Sequence, residues 1–271
     1  MNTPSFILPD CLAPLAGRDG LLPHLRQFDD YAGGYIRQWP EQAGHHALKR
    51  EHTWRVLAYA LRLLDGAELS SPAVGRVALL AALYHDIGRF EQFRQYGTYA
   101  DAASANHAML SLVALHKIRA LQGELPVTAS QIKTAVALHN RFVLPSFVTG
   151  DRLAVTHLVR DADKLDIMRI LAGSLGPGCT PDPVVVMFLR NEPGKCTPSF
   201  MQGLQTGDGL NYNNMRYVND FRMLLCQWME KMHYPLAKKI LLQEGHLRQI
   251  VQGIDLPQAA QLAEEYLKRH E

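Results

Sequence analysis

Residues 77–90 read VALLAALYHDIGRF, and the rest of the chain is interpreted around them. The run from 77 to 83 carries no charge, which predicts a helix that is buried on nearly all sides. His85 and Asp86 follow this run, and two strongly polar side chains need partners there, because an unpaired polar group in an apolar setting costs roughly 2–7 kcal/mol. A divalent metal ion suits a neutral imidazole and a carboxylate together. The alternative at this point is that the pair only caps the helix end.

Composition limits the classes of protein to consider. The chain has 271 residues, of which 47% are hydrophobic and 20% charged, and its formal net charge is +2. We expect one globular domain over residues 1–271 and no footprint for a nucleic-acid polymer. No apolar run approaches the ~20 residues that cross a bilayer. The first residues lack a signal-peptide pattern and the four cysteines show no C-x-x-C spacing, so reduced thiols and a cytoplasmic location are expected.

Other metal-ligand residue types lie at inward-facing positions of predicted helices. His52 comes four residues after Leu48 and four before Val56, on a helix expected over residues 47–64. Three further helices each place one such residue, and these are His107, His139 and Asp163. Helix bundles build metal sites from side chains of facing helices. One shared site is therefore favoured over scattered structural histidines.

This ordered set of a histidine, a His-Asp pair, two histidines and an aspartate resembles the HD-domain metal-dependent phosphohydrolases. The short motifs around these residues are similar to those of a bacterial subgroup of poorly defined substrate. They are HDIGRFE (85–91), YGT (96–98), NHA (106–108), HNR (139–141) and DADKLD (161–166). The resemblance covers residues 45–175. It implies an all-α HD-domain helical bundle, with residues 1–44 as an N-terminal extension and residues 176–271 as additional C-terminal helices packed on the core.

The resemblance also implies the metal ligands, which are His52, His85, Asp86, His107, His139 and Asp163. The two histidines at 107 and 139 match the variant of the family that holds two metals. Two divalent ions about 3.5–4 Å apart need a ligand that spans both, and Asp86 has two oxygens for this task. Mixed histidine and carboxylate ligation suits Mn, Fe, Co or Zn, so two such ions are the expected cofactors.

Four more residues are assigned roles around the metals. Arg89 lies three residues after the bridging aspartate, at a place where relatives use a charged residue for phosphate binding or proton transfer. Because an arginine keeps its proton, Arg89 is assigned to phosphate contact, with pairing to a nearby carboxylate as the alternative. Arg141 and Lys164 are candidates for the same contact or are surface charges. Asp166 is a candidate proton acceptor, so the candidate catalytic residues are Asp86, Arg89 and Asp166.

Glycine positions set the expected boundaries in the first half of the chain. Gly88 is expected to end the buried helix, with a polar loop from 91 to 101. His45 and His46 are expected in solvent, ahead of the helix of His52. A helix over 21–38 is expected to break at its paired glycines, and a capping box is expected at 128–131.

The C-terminal part carries no ligand cluster of its own. Residues 183–189 are expected to form a short helix, with a strand as the alternative. Residues 191–211 are expected to form a loop that is either a lid or a disordered excursion. A helix over 212–232, rich in large apolar residues, follows.

These features predict a metal-dependent phosphohydrolase, a phosphomonoesterase or phosphodiesterase, that acts on a nucleotide or another small phosphorylated metabolite. A water between two ions is acidified toward neutral pH, so a metal-bound hydroxide is the expected nucleophile. Two alternatives stay open. One is a di-iron oxygenase of the HD type that cleaves a C–C or C–P bond, and the other is an inactive nucleotide-binding regulatory module. A small phosphorylated substrate is the expected partner, with no nucleic-acid polymer and no membrane, and a homo-oligomer is left open.

Overall fold

The computed structural model of the chain describes residues 7–15, 17, 20–67, 69–206 and 210–269. These residues contain twelve α-helices and no β-strand, and a single parallel bridge joins Arg190 and Tyr217. The expectation of an all-α fold is confirmed. Among the helices described, none combines the length and the apolar character that a membrane span requires.

The chain divides into two compact units, residues 1–163 and 164–271. The first unit holds α1 (Leu22–Gln38), α2 (Ala43–Leu63), α3 (Pro72–Tyr84), α4 (Gly88–Tyr96), α5 (His107–Lys117), α6 (Pro126–Leu138) and the first half of α7 (Gly150–Leu175). The second unit holds the end of α7, then α8 (Pro198–Thr206), α9 (Val218–Trp228), α10 (Pro235–Glu244), α11 (His246–Gln252) and α12 (Pro257–Lys268). One domain over residues 1–271 stays a prediction.

Helix α3 is the core of the first unit. Every residue from Val77 to Tyr84 is buried, as the uncharged run predicts, and Pro72 opens the helix at its first turn. Helix α3 packs against α1, α2 and α6, while α4 packs against α2 and α5. The C-terminal end of α3 therefore lies among the helices that carry the other candidate ligands.

Gly88 begins a helix instead of ending one, which corrects the expected boundary. Helix α3 ends at Tyr84, and α4 starts at Gly88 and fills much of the loop expected from 91 to 101. The reason for glycine is close approach to α5. The Gly88 amide donates to Ser111 Oγ at 2.9 Å, and that hydroxyl donates to the His85 carbonyl at 2.8 Å. A Cβ at Gly88 would overlap the Ser111 amide nitrogen and lie 2.6 Å from the His107 carbonyl oxygen.

We expect Gly88→Ala to lower the free energy of unfolding by about 1–3 kcal/mol, because the atoms it would overlap belong to the backbone of α5 and cannot turn aside. Thermal and denaturant unfolding measure the loss. Gly34→Ala is the matched control, since that α1 position has open space around it and alanine in a helix is favoured over glycine by about 0.5–1 kcal/mol. Equal stability of the two variants would contradict the close-approach explanation.

His46 is fully buried, so its expected position in solvent is wrong. Helix α2 begins at Ala43, four residues before the expected start, which places His46 in its first turn. The imidazole stacks on Phe90 with ring centroids 5.8 Å apart and lies near Phe93 and Tyr35. Neither ring nitrogen has a hydrogen-bond partner among the described residues. Burial, assisted by the charge of His45, lowers the pKa of His46 to about 4.

Acid should therefore destabilise the protein through His46. Between pH 6.5 and about 4 the unfolded chain binds a proton at this residue that the folded chain does not, so the free energy of unfolding falls as pH falls, by up to about 3 kcal/mol. His46→Leu should remove this share of the pH dependence and should raise stability at neutral pH, because no polar nitrogen is then buried unpaired. Urea unfolding at pH 7 and pH 4.5 measures both effects.

His116→Leu serves as the control for that experiment, since His116 is exposed on α5. If His46→Leu keeps the full pH dependence of the wild type, the buried imidazole is not its source.

Five other boundaries differ from expectation. The helix expected over 212–232 is shorter, since α9 spans Val218–Trp228. Helix α1 continues through its paired glycines, because Leu25, Phe28 and Ala32 bury one face along its length. Helix α6 starts at Pro126 and has no side-chain cap. Residues 183–188 form turns, with positive φ at Met187 and Phe188, where a short helix was expected. Helix α8 lies inside the expected loop over 191–211, and it packs against α9 and α12.

Candidate metal centre

The first unit brings all six predicted ligands into one buried cluster. They come from five places in the fold: α2, the turn after α3, which supplies both His85 and Asp86, the start of α5, the end of α6 and the middle of α7. Five of the six side chains belong to buried residues, and the sixth, Asp163, is 16% exposed at its side chain. Burial of so many polar groups demands that they satisfy one another or a bound ion.

The Asp86 carboxylate lies at the centre, between two pairs of histidines. Its Oδ2 is 3.5 Å from His52 Nε2 and 3.7 Å from His85 Nε2. Its Oδ1 is 3.5 Å from His107 Nε2 and 3.6 Å from His139 Nε2. Each oxygen thus faces its own pair of imidazoles, which is the arrangement required of a carboxylate that bridges two ions.

Asp163 closes the cluster on the side of the first pair. Its Oδ1 is 3.2 Å from His52 Nε2 and 3.5 Å from His85 Nε2. The donor atoms of His85, His139 and Asp163 also lie within 4.8 Å of one another. The two halves of the cluster are therefore contiguous.

Hydrogen bonds outside the cluster fix how three of the imidazoles are protonated. His85 Nδ1 lies 2.7 Å from the carbonyl of Ala82, and His139 Nδ1 lies 2.7 Å from the carbonyl of Val136. A carbonyl only accepts, so each Nδ1 carries the proton and each Nε2 turns a lone pair inward. His107 is oriented in the same way by the carboxylate of Asp101, which accepts a hydrogen bond from His107 Nδ1.

Inside the cluster, the Nε2 lone pairs of these histidines therefore point toward one another and toward the carboxylate oxygens. All of these atoms are hydrogen-bond acceptors. His107 Nε2 and His139 Nε2 are 3.0 Å apart. Among the described residues, the buried atoms without a hydrogen-bond partner include His85 Nε2, Asp86 Oδ1 and Asp163 Oδ1 of this cluster. A cation resolves this repulsion, and a mixed nitrogen and oxygen donor set suits a divalent transition metal. The residues present therefore fit a metal site.

Electrostatics keep the donors in the ligating form. Burial alone would raise the pKa of Asp86, but the cations of Lys49 and Arg89 hold it well below its usual range. Burial, together with the charge of Arg89, lowers the pKa of His107 to about 3. At neutral pH the aspartate is ionised and the imidazole is neutral, as metal binding requires.

Two site residues were missed by the sequence analysis. Lys49 Nζ lies 2.8 Å from Asp86 Oδ2, and the signal that reveals it is its place one helical turn before His52. Asp101 accepts from His107 Nδ1 at 2.7 Å and from Asn140 Nδ2 at 3.2 Å. Asp101 lies in a short 3₁₀ turn between α4 and α5, where no periodic pattern points to it.

Arg89 lies beside the cluster and is held by the segment between α4 and α5. Its Nε is 3.4 Å from Asp86 Oδ1, and its Nη1 donates to the Tyr99 carbonyl at 2.6 Å and to Gln92 Oε1 at 2.7 Å. Among the described residues, none accepts a hydrogen bond from Nη2. The pairing with carboxylates that was the alternative is present, at Asp86 and at Asp101, and the phosphate role stays a prediction.

The other three predicted residues have different surroundings. Arg141 is exposed. In the second unit, Lys164 Nζ donates to the carbonyl of Lys231 at 3.1 Å, and Asp166 is buried and pairs with Arg169 at 2.7 Å. Their roles in substrate contact and proton transfer stay predictions.

Comparison with protein families supplies independent information on this cluster. The family model described as HD domain matches residues 50–168. The matched segment is 119 of the chain's 271 residues and is similar to an HD domain. The matched segment contains all six predicted ligands and Arg89 but begins one residue after Lys49, and it confirms the resemblance found in the sequence. An HD domain is typical of a superfamily of metal-dependent hydrolase-like proteins. Searches of curated proteins and of solved structures returned no match.

Asp101 should set the metal affinity of the half of the HD site that contains His107. Replacing its carboxylate in Asp101→Asn removes the charge that orients and polarises this imidazole, so we expect the affinity there to fall about 10–100-fold. Competition with a chelator during metal titration measures it. Ser104→Ala is the control, because Ser104 also accepts from Gln92 but is not bonded to His107. Equal affinity losses in the two variants would assign the effect to the loop as a whole.

Proposed function

We propose that this HD domain is a metal-dependent phosphohydrolase that binds two divalent transition-metal ions and acts on a nucleotide or another small phosphorylated metabolite. The observation that carries the proposal is the central carboxylate. Asp86 turns one oxygen to His52 and His85 and the other to His107 and His139. Asp163 adds a further oxygen to the first pair, and Asp101 supports the second pair from behind.

The charge of the site supports an anionic substrate. With neutral imidazoles, the carboxylates of Asp86, Asp101 and Asp163 and the cations of Lys49 and Arg89 leave one negative charge. Two divalent ions convert this to three positive charges. A positive, largely buried site attracts and retains a multiply charged anion such as a phosphate ester. When bound, the ions lower the pKa of a coordinated water and offset the charge that builds up on the phosphoryl group.

The chain's own residues would orient the substrate and the ligands. The imidazoles of His85 and His139 are fixed by carbonyls of their own helices, so they need no rearrangement during the reaction. Arg89 is held in place through Nη1 and Nε, which leaves Nη2 as the donor for a phosphoryl oxygen. A guanidinium suits this task because it forms directed, charge-assisted hydrogen bonds with phosphate.

The test is hydrolysis by metal-loaded protein. Protein stripped with a chelator should be inactive, and loading with Mn, Co, Fe or Zn should give about two ions per chain and release of phosphate or alcohol from a panel of phosphate monoesters and diesters. Asp86→Asn should bind fewer ions and lose hydrolysis, because the two oxygens of Asp86 face the two histidine pairs. Asp65→Asn, at an exposed position after α2, should match the wild type.

Two results would contradict the proposal. Oxygen consumption by the iron-loaded protein, without hydrolysis under any metal, would indicate the oxygenase alternative. Binding of nucleotide without turnover under every metal would indicate the regulatory alternative.

A further inference from the structure

Lys49 forms an ion pair with the carboxylate that is expected to bridge the metals. The lysine lies on α2, three residues before His52, and its side chain is 12% exposed. Its ammonium donates to Asp86 Oδ2 at 2.8 Å. Among the residues that the structure describes, Asp86 alone accepts a hydrogen bond from this ammonium. Lys49 also lies outside the segment that matches the HD family.

This ion pair competes with a metal for the same oxygen. Asp86 Oδ2 is the atom that faces His52 and His85, so an ion held by those imidazoles would take it as a ligand. A divalent cation and an ammonium on one carboxylate oxygen repel each other, and the repulsion is strong where water is excluded. The ammonium of Lys49 and a metal ion between His52 and His85 are therefore competing cations at Asp86 Oδ2.

The surroundings of Lys49 indicate what it binds when it is displaced. Its Nζ lies 5.2 Å from the centre of the Tyr99 ring, and Arg89 Cζ lies 5.7 Å from the same ring. The two cations thus share one ring and contact opposite oxygens of Asp86. An anion that rests on both metals would lie beside both cations. With a small movement of the flexible lysine side chain, Nζ would donate to an oxygen of that anion instead of to Asp86 Oδ2.

We propose that Lys49 competes with the metal for Asp86 in the metal-free protein and donates to the phosphate of the substrate in the metal-loaded protein. This inference rests on the proposed function. Lys49 is then a substrate-binding residue that strengthens phosphate binding and weakens metal binding. Removing the ammonium should tighten metal binding, since a competing cation is gone, and should weaken phosphate binding, since a donor is gone.

The experiment compares wild type, Lys49→Met, Lys49→Arg and a control, Arg50→Met. Arg50 is the next basic residue of α2, and it pairs with Asp29 at 2.7 Å. Zinc affinity is measured on stripped protein by competition with a chelator. Inorganic phosphate affinity is measured on the zinc-loaded protein by calorimetry. Circular dichroism verifies the helical fold of each variant, and Lys49→Gln replaces Lys49→Met if the latter does not fold.

We expect Lys49→Met to bind zinc about three- to tenfold more tightly, as loss of a nearby like charge implies. It should bind phosphate about 10–100-fold more weakly, as loss of one charge-assisted hydrogen bond implies. Lys49→Arg should keep the zinc affinity of the wild type and recover part of the phosphate affinity. Arg50→Met should match the wild type in both measurements.

Either of two results overturns the role of Lys49. Weaker zinc binding by Lys49→Met would mean that the lysine orients Asp86 for the metal. Unchanged phosphate affinity would mean that the ammonium does not reach the anion. Failure of the proposed function has a different signature, because the zinc-loaded wild type would then bind no phosphate at all, and the two proposals would fall together.

Discussion

The structure depends on one buried carboxylate that lies among four imidazole rings and two cationic side chains. Asp86 is almost fully buried, and each of its oxygens faces two imidazole nitrogens at 3.5–3.7 Å. Where the second ring nitrogen donates to a backbone carbonyl, as in His85 and His139, the nitrogen that faces Asp86 has only a lone pair to offer. Such an interior is stable with cations inside it, so a requirement for positive charge organises the whole site.

The helices of the first unit supply the rigidity that this arrangement needs. Helix α3 is buried along its C-terminal half, and the histidine that follows is held to the carbonyl three residues earlier. Gly88 allows α4 to approach α5 so closely that one serine hydroxyl bonds both the Gly88 amide and the His85 carbonyl. Those contacts set the distance between Asp86 and His107. The close packing at Gly88 and Ser111 therefore helps to determine the geometry of the candidate metal site.

Three charged residues lie next to the candidate ligands and determine the charge state and orientation of those ligands. Asp101 supports His107, Arg89 contacts Asp86 Oδ1 and Asp101, and Lys49 pairs with the other oxygen of Asp86, Oδ2. These residues come from α2, α4 and the turn between α4 and α5. They account for the ionised state of Asp86 and for the proposed preference for an anionic substrate. The family match begins after Lys49, so this lysine is a feature of the chain beyond the matched pattern.

The amino-acid sequence was sufficient to predict the all-α fold class, the resemblance to HD domains and the six candidate ligands, because helical periodicity and residue type are local properties of the chain. It failed at contacts between distant segments. The burial of His46, the close approach at Gly88 and the pairing of Asp101 with His107 all depend on which helices meet, and no spacing along the chain records that. Lys49 stood one turn from His52 in the sequence, yet only the tertiary structure placed its ammonium on Asp86, since the two residues lie on different elements whose packing alone brings the charges into contact.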